Sequence, residues 1–243
     1  MGDYANAAPH EVMLRFAALQ QEAVDLFKKA HEVTHRSGEA GELILHLLTE
    51  WVLEAPQILA KMSLKTSSEV AVHGADGVHV RFCPETGKLQ VYWGEAKIHK
   101  DLSGAIRAAA ESIASTLEEG KASHELNLVR RHLDLSGLSP AGRTAMIRFL
   151  DPFEPESNER EDVVTCLIAF DFAAFDEVAV DPAKADARFG ELAVARLREV
   201  APKLAAAFSE RGLSNVPVEM FLLPVPSVDQ LRNLFQSRIG WNS

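Results

Sequence analysis

The chain has 243 residues, of which 47% are hydrophobic and 25% charged, an ordinary globular composition that can bury a sizeable core. No apolar run approaches the roughly 18 residues needed to span a bilayer, and the amino terminus lacks a basic region followed by an apolar one. We therefore exclude an integral membrane protein and expect a soluble, cytoplasmic protein that forms one compact domain.

The charge balance is acidic, with 35 Asp and Glu against 25 Lys and Arg and a formal net charge of −10 at pH 7. A protein that grips a polyanion by itself usually carries a basic patch. We expect the chain alone to bind nucleic acid weakly. Either a partner delivers the substrate, or a local basic strip is hidden in the overall balance.

The two cysteines, Cys83 and Cys166, lie within apolar, strand-like segments and show no metal-ligand spacing. This setting predicts small core residues in a reducing compartment, without a disulfide between them.

The first predicted element is a helix from residue 10 to about 33, with apolar positions spaced by threes and fours. Its end carries His31-Glu32-Val33-Thr34-His35, which matches the zinc-protease motif H-E-x-x-H. The longer form of that motif requires a third His where this chain has Gly41, and too few residues precede it for a substrate-positioning sheet. The alternatives are a zinc metalloprotease site or two exposed histidines at a fraying helix end.

A second helix is predicted between residues 37 and 53, where Ser37 can act as the N-cap. Glu39 and Glu42 lie three residues apart near its start and therefore share a face. They either serve a functional site or only interact favourably with the helix dipole, which stabilises the helix by about 0.3 to 1 kcal/mol for each acid. The predicted buried stripe comprises Ile44, Leu47, Leu48 and Trp51.

The chain is organised around a hairpin that follows a polar connector at 61–68 and a short predicted strand at 69–73. Two apolar strands, 74–83 and 88–97, flank the turn Pro84-Glu85-Thr86-Gly87. The register set by this turn makes Asp76 face Glu95, and the period-two alternation of strands places Lys97 on the same face. An apolar ladder therefore ends in a lysine and two carboxylates whose Cβ atoms are about 4.5 to 5.5 Å apart.

Opposed carboxylates on a half-buried strand pair repel each other, and their desolvation adds a further cost. A divalent cation between Asp76 and Glu95 would offset this repulsion and desolvation cost. Mg²⁺ suits the position because it accepts a small number of carboxylate oxygens and keeps several waters. Lys97 can hold an attacking water or offset the charge that develops on a phosphate. The hairpin thus predicts a metal-dependent site.

The remaining elements alternate helices and strands. A helix that begins at Asp101 or Ser103 and runs to Leu117 carries an alanine-rich packing stripe. The stretch 122–150 is helical and basic in places, and its arginines form either a nucleic-acid or partner surface or a solvated helix face. We then expect a loop at 151–162, a central strand at 163–170, a helix at 185–209, a strand at 216–223 and a helix at 228–238.

The Asp76, Glu95-Ala96-Lys97 pattern resembles the PD-(D/E)XK nuclease superfamily, in which an Asp on one strand and an acid-x-Lys on the next form the active site. Over a longer stretch the chain resembles the HamA family, the nuclease subunits of the Hachiman anti-phage defence system. The segments that carry this resemblance are 36–46, 74–79, 93–97 and 105–108. Residues 150 to 243 fit only in pattern.

The resemblance implies an α/β fold with a PD-(D/E)XK restriction-endonuclease-like core, in which a mixed sheet with a central antiparallel hairpin is flanked by helices. It implies a single nuclease-like domain over residues 1–243. Within it, 36–117 would be the catalytic core, 122–150 a helical elaboration, and 163–243 the completing strands and helices.

The resemblance also implies a Mg²⁺- or Mn²⁺-dependent deoxyribonuclease that a HamB-like helicase partner holds inactive until aberrant DNA releases it. By motif, the metal ligands would be Asp76, Glu95 and Glu39, and Lys97 would be the catalytic lysine. Glu42, beside Glu39, remains the other candidate for the helix acid. The alternative function is a non-catalytic interaction subunit that keeps this fold and uses its acids to clamp basic residues of the partner.

Overall fold

The computed structural model describes residues 38–60, 75–117, 137–150, 160–178 and 185–240, together with the single positions 21 and 25. Several predictions therefore lie outside the described residues. They are the helix at 10–33 with its His31–His35 motif, the connector and strand at 61–73, the stretch from 122 to 136, and most of the loop at 151–162.

The core is a five-stranded sheet whose strands lie side by side in the order in which they occur along the chain. Its strands are β1 Gln57–Ala60, β2 Gly77–Cys83, β3 Lys88–Ile98, β4 Arg160–Asp171 and β5 Val218–Val225. The first three are antiparallel neighbours, whereas β3, β4 and β5 are parallel. The predicted mixed sheet is confirmed, and β3 is the strand at which its direction changes from antiparallel to parallel.

Helices cover both faces of this sheet. Those within the described residues are α1 Glu39–Val52, α2 Leu102–Leu117, α3 Pro140–Leu150, α4 Ala174–Val178, α5 Ala185–Glu210 and α6 Val228–Arg238. Hydrophobic clusters place α2 and α5 on one face and α1 and α6 on the other. No helix among the described residues is long and apolar enough to cross a membrane.

The hairpin forms with the predicted register, since Cys83 pairs with Lys88 and Val78 pairs with Trp93. Its turn ends at Gly87, whose φ of 69° lies in the left-handed region that favours glycine. Alternate residues of β2 and β3 build one buried cluster with Leu138 and Met146, so α3 packs on the same sheet face as Trp93. This face also carries Glu95 and Lys97, because side chains alternate along β3.

The prediction for α1 was right about the helix and wrong about its cap and its buried stripe. The N-cap is Gly38, which makes no side-chain cap hydrogen bond, rather than Ser37. Trp51 is 75% exposed, and the fully buried side includes Gly41, Leu45 and Thr49. A Cβ at Gly41 would lie 3.1 Å from Cγ1 of Ile98, so the bare backbone of this glycine lets α1 approach β3 closely.

Two strand boundaries also differ from the predictions. Strand β4 begins at Arg160, so Glu161 and Asp162 belong to the strand and not to the predicted loop. The Glu161 carboxylate accepts a hydrogen bond from Gln90 Nε2 at 2.8 Å. The Asp162 carboxylate accepts one from Trp93 Nε1 at 3.0 Å. Strand β5 lies two residues later than predicted, over Val218–Val225.

The two cysteines differ in environment. Cys166 lies in the core between α2 and the sheet, as the sequence predicts. Cys83 is only half-buried beside the hairpin turn, where its thiol donates a hydrogen bond to the Glu85 carboxylate at 3.1 Å. The prediction of a core position was therefore wrong for Cys83, because the fully buried part of β2 ends at Val80, three residues before it.

Candidate metal centre at the end of the hairpin

The acidic end of the hairpin lies where β2 begins and β3 continues past it. Just before β2, the Asp76 amide donates a hydrogen bond to the Gly94 carbonyl at 2.7 Å. The Asp76 carboxylate in turn accepts a hydrogen bond from the Ala96 amide at 2.9 Å. These two contacts fix Asp76 against the edge of β3, close to Glu95, although the regular pairing of β2 with β3 ends at Val78 and Trp93.

Glu95 is held from two sides. It is only 4% exposed, and its Oε1 lies 2.5 Å from Nζ of Lys97, two residues further along β3. Its Oε2 accepts a hydrogen bond from Oγ of Ser112 on α2 at 2.8 Å. Both carboxylate oxygens therefore have fixed directions, whereas the Lys97 side chain remains 24% exposed and reaches the surface of the site.

The electrostatics of the site oppose the negative charge of Glu95. Burial raises the pKa of the Glu95 carboxyl above its ordinary value, and the neighbouring charge of Asp76 raises it further. Lys97 and the hydrogen bond from Ser112 lower the same pKa and offset part of this effect. A site with two adjacent acids and one lysine has a net negative charge and is thus suited to a cation.

Glu39 has the most unusual environment of the predicted acids. It is completely buried, and neither carboxylate oxygen accepts a hydrogen bond from any of the described residues. Burying a polar group without a partner costs about 1 to 3 kcal/mol, and more for a charged one. A bound cation is the kind of partner that would remove this cost.

The position of Glu39 follows from the packing of α1. Gly41, two residues later, lies against Ala96 and Ile98 of β3. These side chains point to the sheet face opposite to Glu95 and Lys97, because faces alternate along a strand. The start of α1 therefore lies beside the Ala96–Ile98 end of β3, on the sheet face opposite to Glu95.

Glu42 is less buried than Glu39. It is half-buried, and its Oε1 would be 3.8 Å from a Cβ built on Gly38, so its carboxylate turns back towards the first turn of α1. Carboxylates in that position interact favourably with the helix dipole. Glu39 and Glu42 thus occupy different environments, although their spacing of three residues predicts that they share one face of α1.

Sequence reasoning missed Ser112, which orients Glu95. A signal was present in retrospect, because Ala109, Ser112 and Thr116 form a row of small side chains at helical spacing along α2. The basic surface predicted for 122–150 is described only in part: Arg143 and Arg148 are exposed on α3.

The fold and the site together define a mixed α/β protein whose central sheet carries two acids and a lysine at the end of a hairpin. A family model, HamA, matches residues 4–239, nearly the whole length. The chain belongs to the HamA family, and it is an anti-phage defence protein of the Hachiman type. This confirms the resemblance to the HamA family that the sequence motifs indicate. No curated protein and no solved structure matches the chain significantly.

Proposed function

We propose that this protein is a metal-dependent DNA nuclease of the PD-(D/E)XK type, which acts as the effector of its defence system. The proposal is supported above all by one observation, the buried Glu95 that contacts Lys97 at 2.5 Å with Asp76 beside it. The resemblance to the PD-(D/E)XK nucleases implies an active site of an aspartate, a glutamate and a lysine, and a metal ion held by such acids would activate a water for phosphodiester hydrolysis. A purely structural hairpin gains nothing from opposing two carboxylates.

The metal would be Mg²⁺ or Mn²⁺, held by Asp76 and Glu95, because hard divalent cations prefer carboxylate oxygens. Of the two helix acids we assign Glu39 as the third ligand, since its buried oxygens accept no hydrogen bond from the described residues. Such an ion would supply positive charge at the scissile phosphate and acidify a water.

The protein groups have separate tasks in this proposal. Lys97, which reaches the surface of the site, holds the attacking water and places a positive charge where negative charge develops on the phosphate. Ser112 keeps Glu95 in position through its hydrogen bond and is a positioning residue. Asp76 is oriented by the Ala96 amide.

DNA would reach the site with the help of a HamB-like helicase partner. The net charge of −10 weakens any binding of a polyanion by the chain alone. Helix α3 packs on the sheet face that carries Glu95 and Lys97. Its exposed arginines, Arg143 and Arg148, offer a local basic contact for DNA or for the partner. A nuclease that binds DNA poorly by itself is well suited to control by a partner that binds DNA.

The test is degradation of plasmid DNA in the presence of Mg²⁺, by the chain alone and by the chain with its helicase partner and ATP. Glu95→Gln and Lys97→Ala should each lower cleavage by at least about a hundredfold, as expected for loss of an essential group. Lys203→Ala is the matched control, because this lysine also contacts a glutamate, Glu199 at 2.7 Å, but on the exposed surface of α5. It should leave cleavage unchanged.

Intact DNA in every mixture, with the helicase complex still forming, would contradict the proposal. That result would favour the non-catalytic interaction subunit. Loss of helicase binding in the Glu95 and Lys97 variants would likewise show that the acids and the lysine serve the interface.

A further inference from the structure

A second cluster of potential ligands lies on the opposite face of the sheet. His46 and Glu50 are one turn apart on α1, and His79 is in the middle of β2. The three side chains each offer one ligand atom, and these atoms lie within 4.8 Å of one another. His79 pairs with Tyr92 in the hairpin, which places it on the α1 side, away from Glu95.

His79 is held in an orientation that suits a ligand. It is 2% exposed, and its Nδ1 lies 2.8 Å from the carbonyl oxygen of Ala55. A carbonyl only accepts hydrogen bonds, so Nδ1 carries the proton and Nε2 keeps its lone pair. Metal-binding histidines are typically oriented in this way, by a hydrogen bond from the other ring nitrogen to a carbonyl or carboxylate.

His46 contributes a buried nitrogen without a hydrogen bond. Its Nδ1 is shielded from solvent and has no hydrogen-bond partner among the described residues. The nearest carboxylate oxygen of Glu50 is 3.8 Å away, too far for a hydrogen bond. The two imidazole rings are tilted at 41° with centroids 5.5 Å apart, so they are not stacked, and one ring nitrogen of each lies within 4.8 Å of the other.

Glu50 is positioned as well. Its Oε1 accepts a hydrogen bond from the amide of Gln57 at 3.1 Å, which ties the end of α1 to the start of β1. A carboxylate oxygen can accept more than one contact, so this bond leaves the group available to a metal.

We infer that His46 through Nδ1, His79 through Nε2 and Glu50 bind one transition-metal ion, for which Zn²⁺ is the best match. Two imidazoles and a carboxylate form a mixed donor set that suits Zn²⁺ better than Mg²⁺, which prefers oxygen alone. Three protein ligands leave the fourth tetrahedral position for water.

Binding requires only local adjustment. Metal–nitrogen bonds of about 2.0 to 2.1 Å place tetrahedral ligand atoms about 3.3 Å apart, closer than the upper limit of 4.8 Å found here. The side chains of His46 and Glu50 are 28% and 36% exposed and can rotate towards the fixed His79.

The ion would join α1, which begins at Glu39, to the hairpin, which carries Asp76 and Glu95. The ion would therefore hold together two elements of the candidate nuclease site, with its fourth coordination position open to water. It shares no ligand with the proposed nuclease metal, and two of its three donors are imidazole nitrogens where the nuclease metal has only carboxylates. Because it binds the folded chain, it should raise the melting temperature.

The test uses the purified full chain, stripped with a chelator and titrated with Zn²⁺, followed by elemental analysis after gel filtration and a thermal melt. We expect one Zn²⁺ per chain and a higher melting temperature. His46→Ala and Glu50→Gln should each weaken Zn²⁺ binding by at least about tenfold. Both affect partly exposed side chains, so the variants should still fold.

The controls separate this site from other candidates. His99→Ala removes an exposed histidine at the end of β3 and should retain the ion. Asp76→Asn with Glu95→Gln should also retain it while abolishing any DNA cleavage, so the two proposals fail separately. A double His31→Ala, His35→Ala variant that loses Zn²⁺, with His46→Ala unaffected, would overturn the inference, as would the absence of Zn²⁺ binding by the unmodified chain.

Discussion

Ser112 donates a hydrogen bond to Glu95 at 2.8 Å, and this contact ties the middle of α2 to the acidic end of the hairpin. Hydrogen bonds to charged groups contribute about 1.5 to 3 kcal/mol. We predict that Ser112→Ala lowers DNA cleavage about tenfold to a hundredfold and raises the Mg²⁺ concentration needed for half-maximal cleavage. Ser112→Thr should restore much of the activity, because it keeps the hydroxyl.

The control for Ser112 is Ser103→Ala, which removes an exposed hydroxyl from the first turn of the same helix. Equal loss of cleavage in both variants would mean that the effect comes from the stability of α2. An unchanged Mg²⁺ requirement in Ser112→Ala would mean that the hydrogen bond does not position a ligand.

Glu39 provides a test that needs no DNA. In metal-free protein, replacement of this buried carboxylate by methionine, which has a similar size, should increase the free energy of unfolding by about 1 to 3 kcal/mol. The same variant should lose the stabilisation that Mg²⁺ gives the unmodified chain. Urea unfolding with and without Mg²⁺ measures both effects, with Glu42→Gln as the control that changes neither substantially. A less stable Glu39→Met protein would instead indicate a structural role for the carboxylate.

Replacement by alanine should have opposite effects on protein stability at two glycines that lie in helices. At Gly41 the new Cβ would lie 3.1 Å from Ile98 and 3.2 Å from Ala96, so overpacking should destabilise the protein by about 1 to 3 kcal/mol. At Gly190 in α5 the new Cβ would enter open space, and alanine should stabilise the helix by up to about 1 kcal/mol. Thermal melts of the two variants compare them directly. A stabilised Gly41→Ala protein would show that α1 does not pack closely on β3.

The two thiols should differ in reactivity. Burial raises the pKa of the Cys166 thiol well above its ordinary value, so the thiolate that reacts with alkylating agents is essentially absent at pH 8. We predict that native protein reacts with one equivalent of a thiol reagent, at Cys83, and with two after denaturation. Cys83→Ser should abolish labelling of the native protein. Rapid labelling of two thiols in native protein would contradict the burial of Cys166.

The hairpin could be predicted from the sequence because its determinants are local. The turn at 84–87 fixes the register, and alternation along β3 then places Glu95 and Lys97 on one face. The family could be predicted for the same reason, since its motifs lie in continuous segments of the chain.

The buried face of α1 could not be predicted, because this helix is apolar on several sides. Close approach of Gly41 to β3 decides which side is buried, and hydrophobic periodicity does not report it. The start of β4 was missed because Glu161 and Asp162 look like loop residues until their partners Gln90 and Trp93 are known. Ser112 and His79 meet their partners only through packing between separate elements, 17 and 24 residues apart along the chain, which local patterns do not report.

The strand β3, where the sheet changes from antiparallel to parallel, also separates two parts of the chain with different roles. Every side chain assigned to the candidate nuclease site belongs to the first half, from α1 to α2, whereas the strand that covers the other edge of β3 comes from the second half. A polypeptide cut after α2 would carry all the proposed chemistry but expose the hydrogen-bonding edge of its most important strand. We therefore expect neither piece alone to have the proposed nuclease activity. The activity should return when the two pieces reassociate and β4 again pairs with β3.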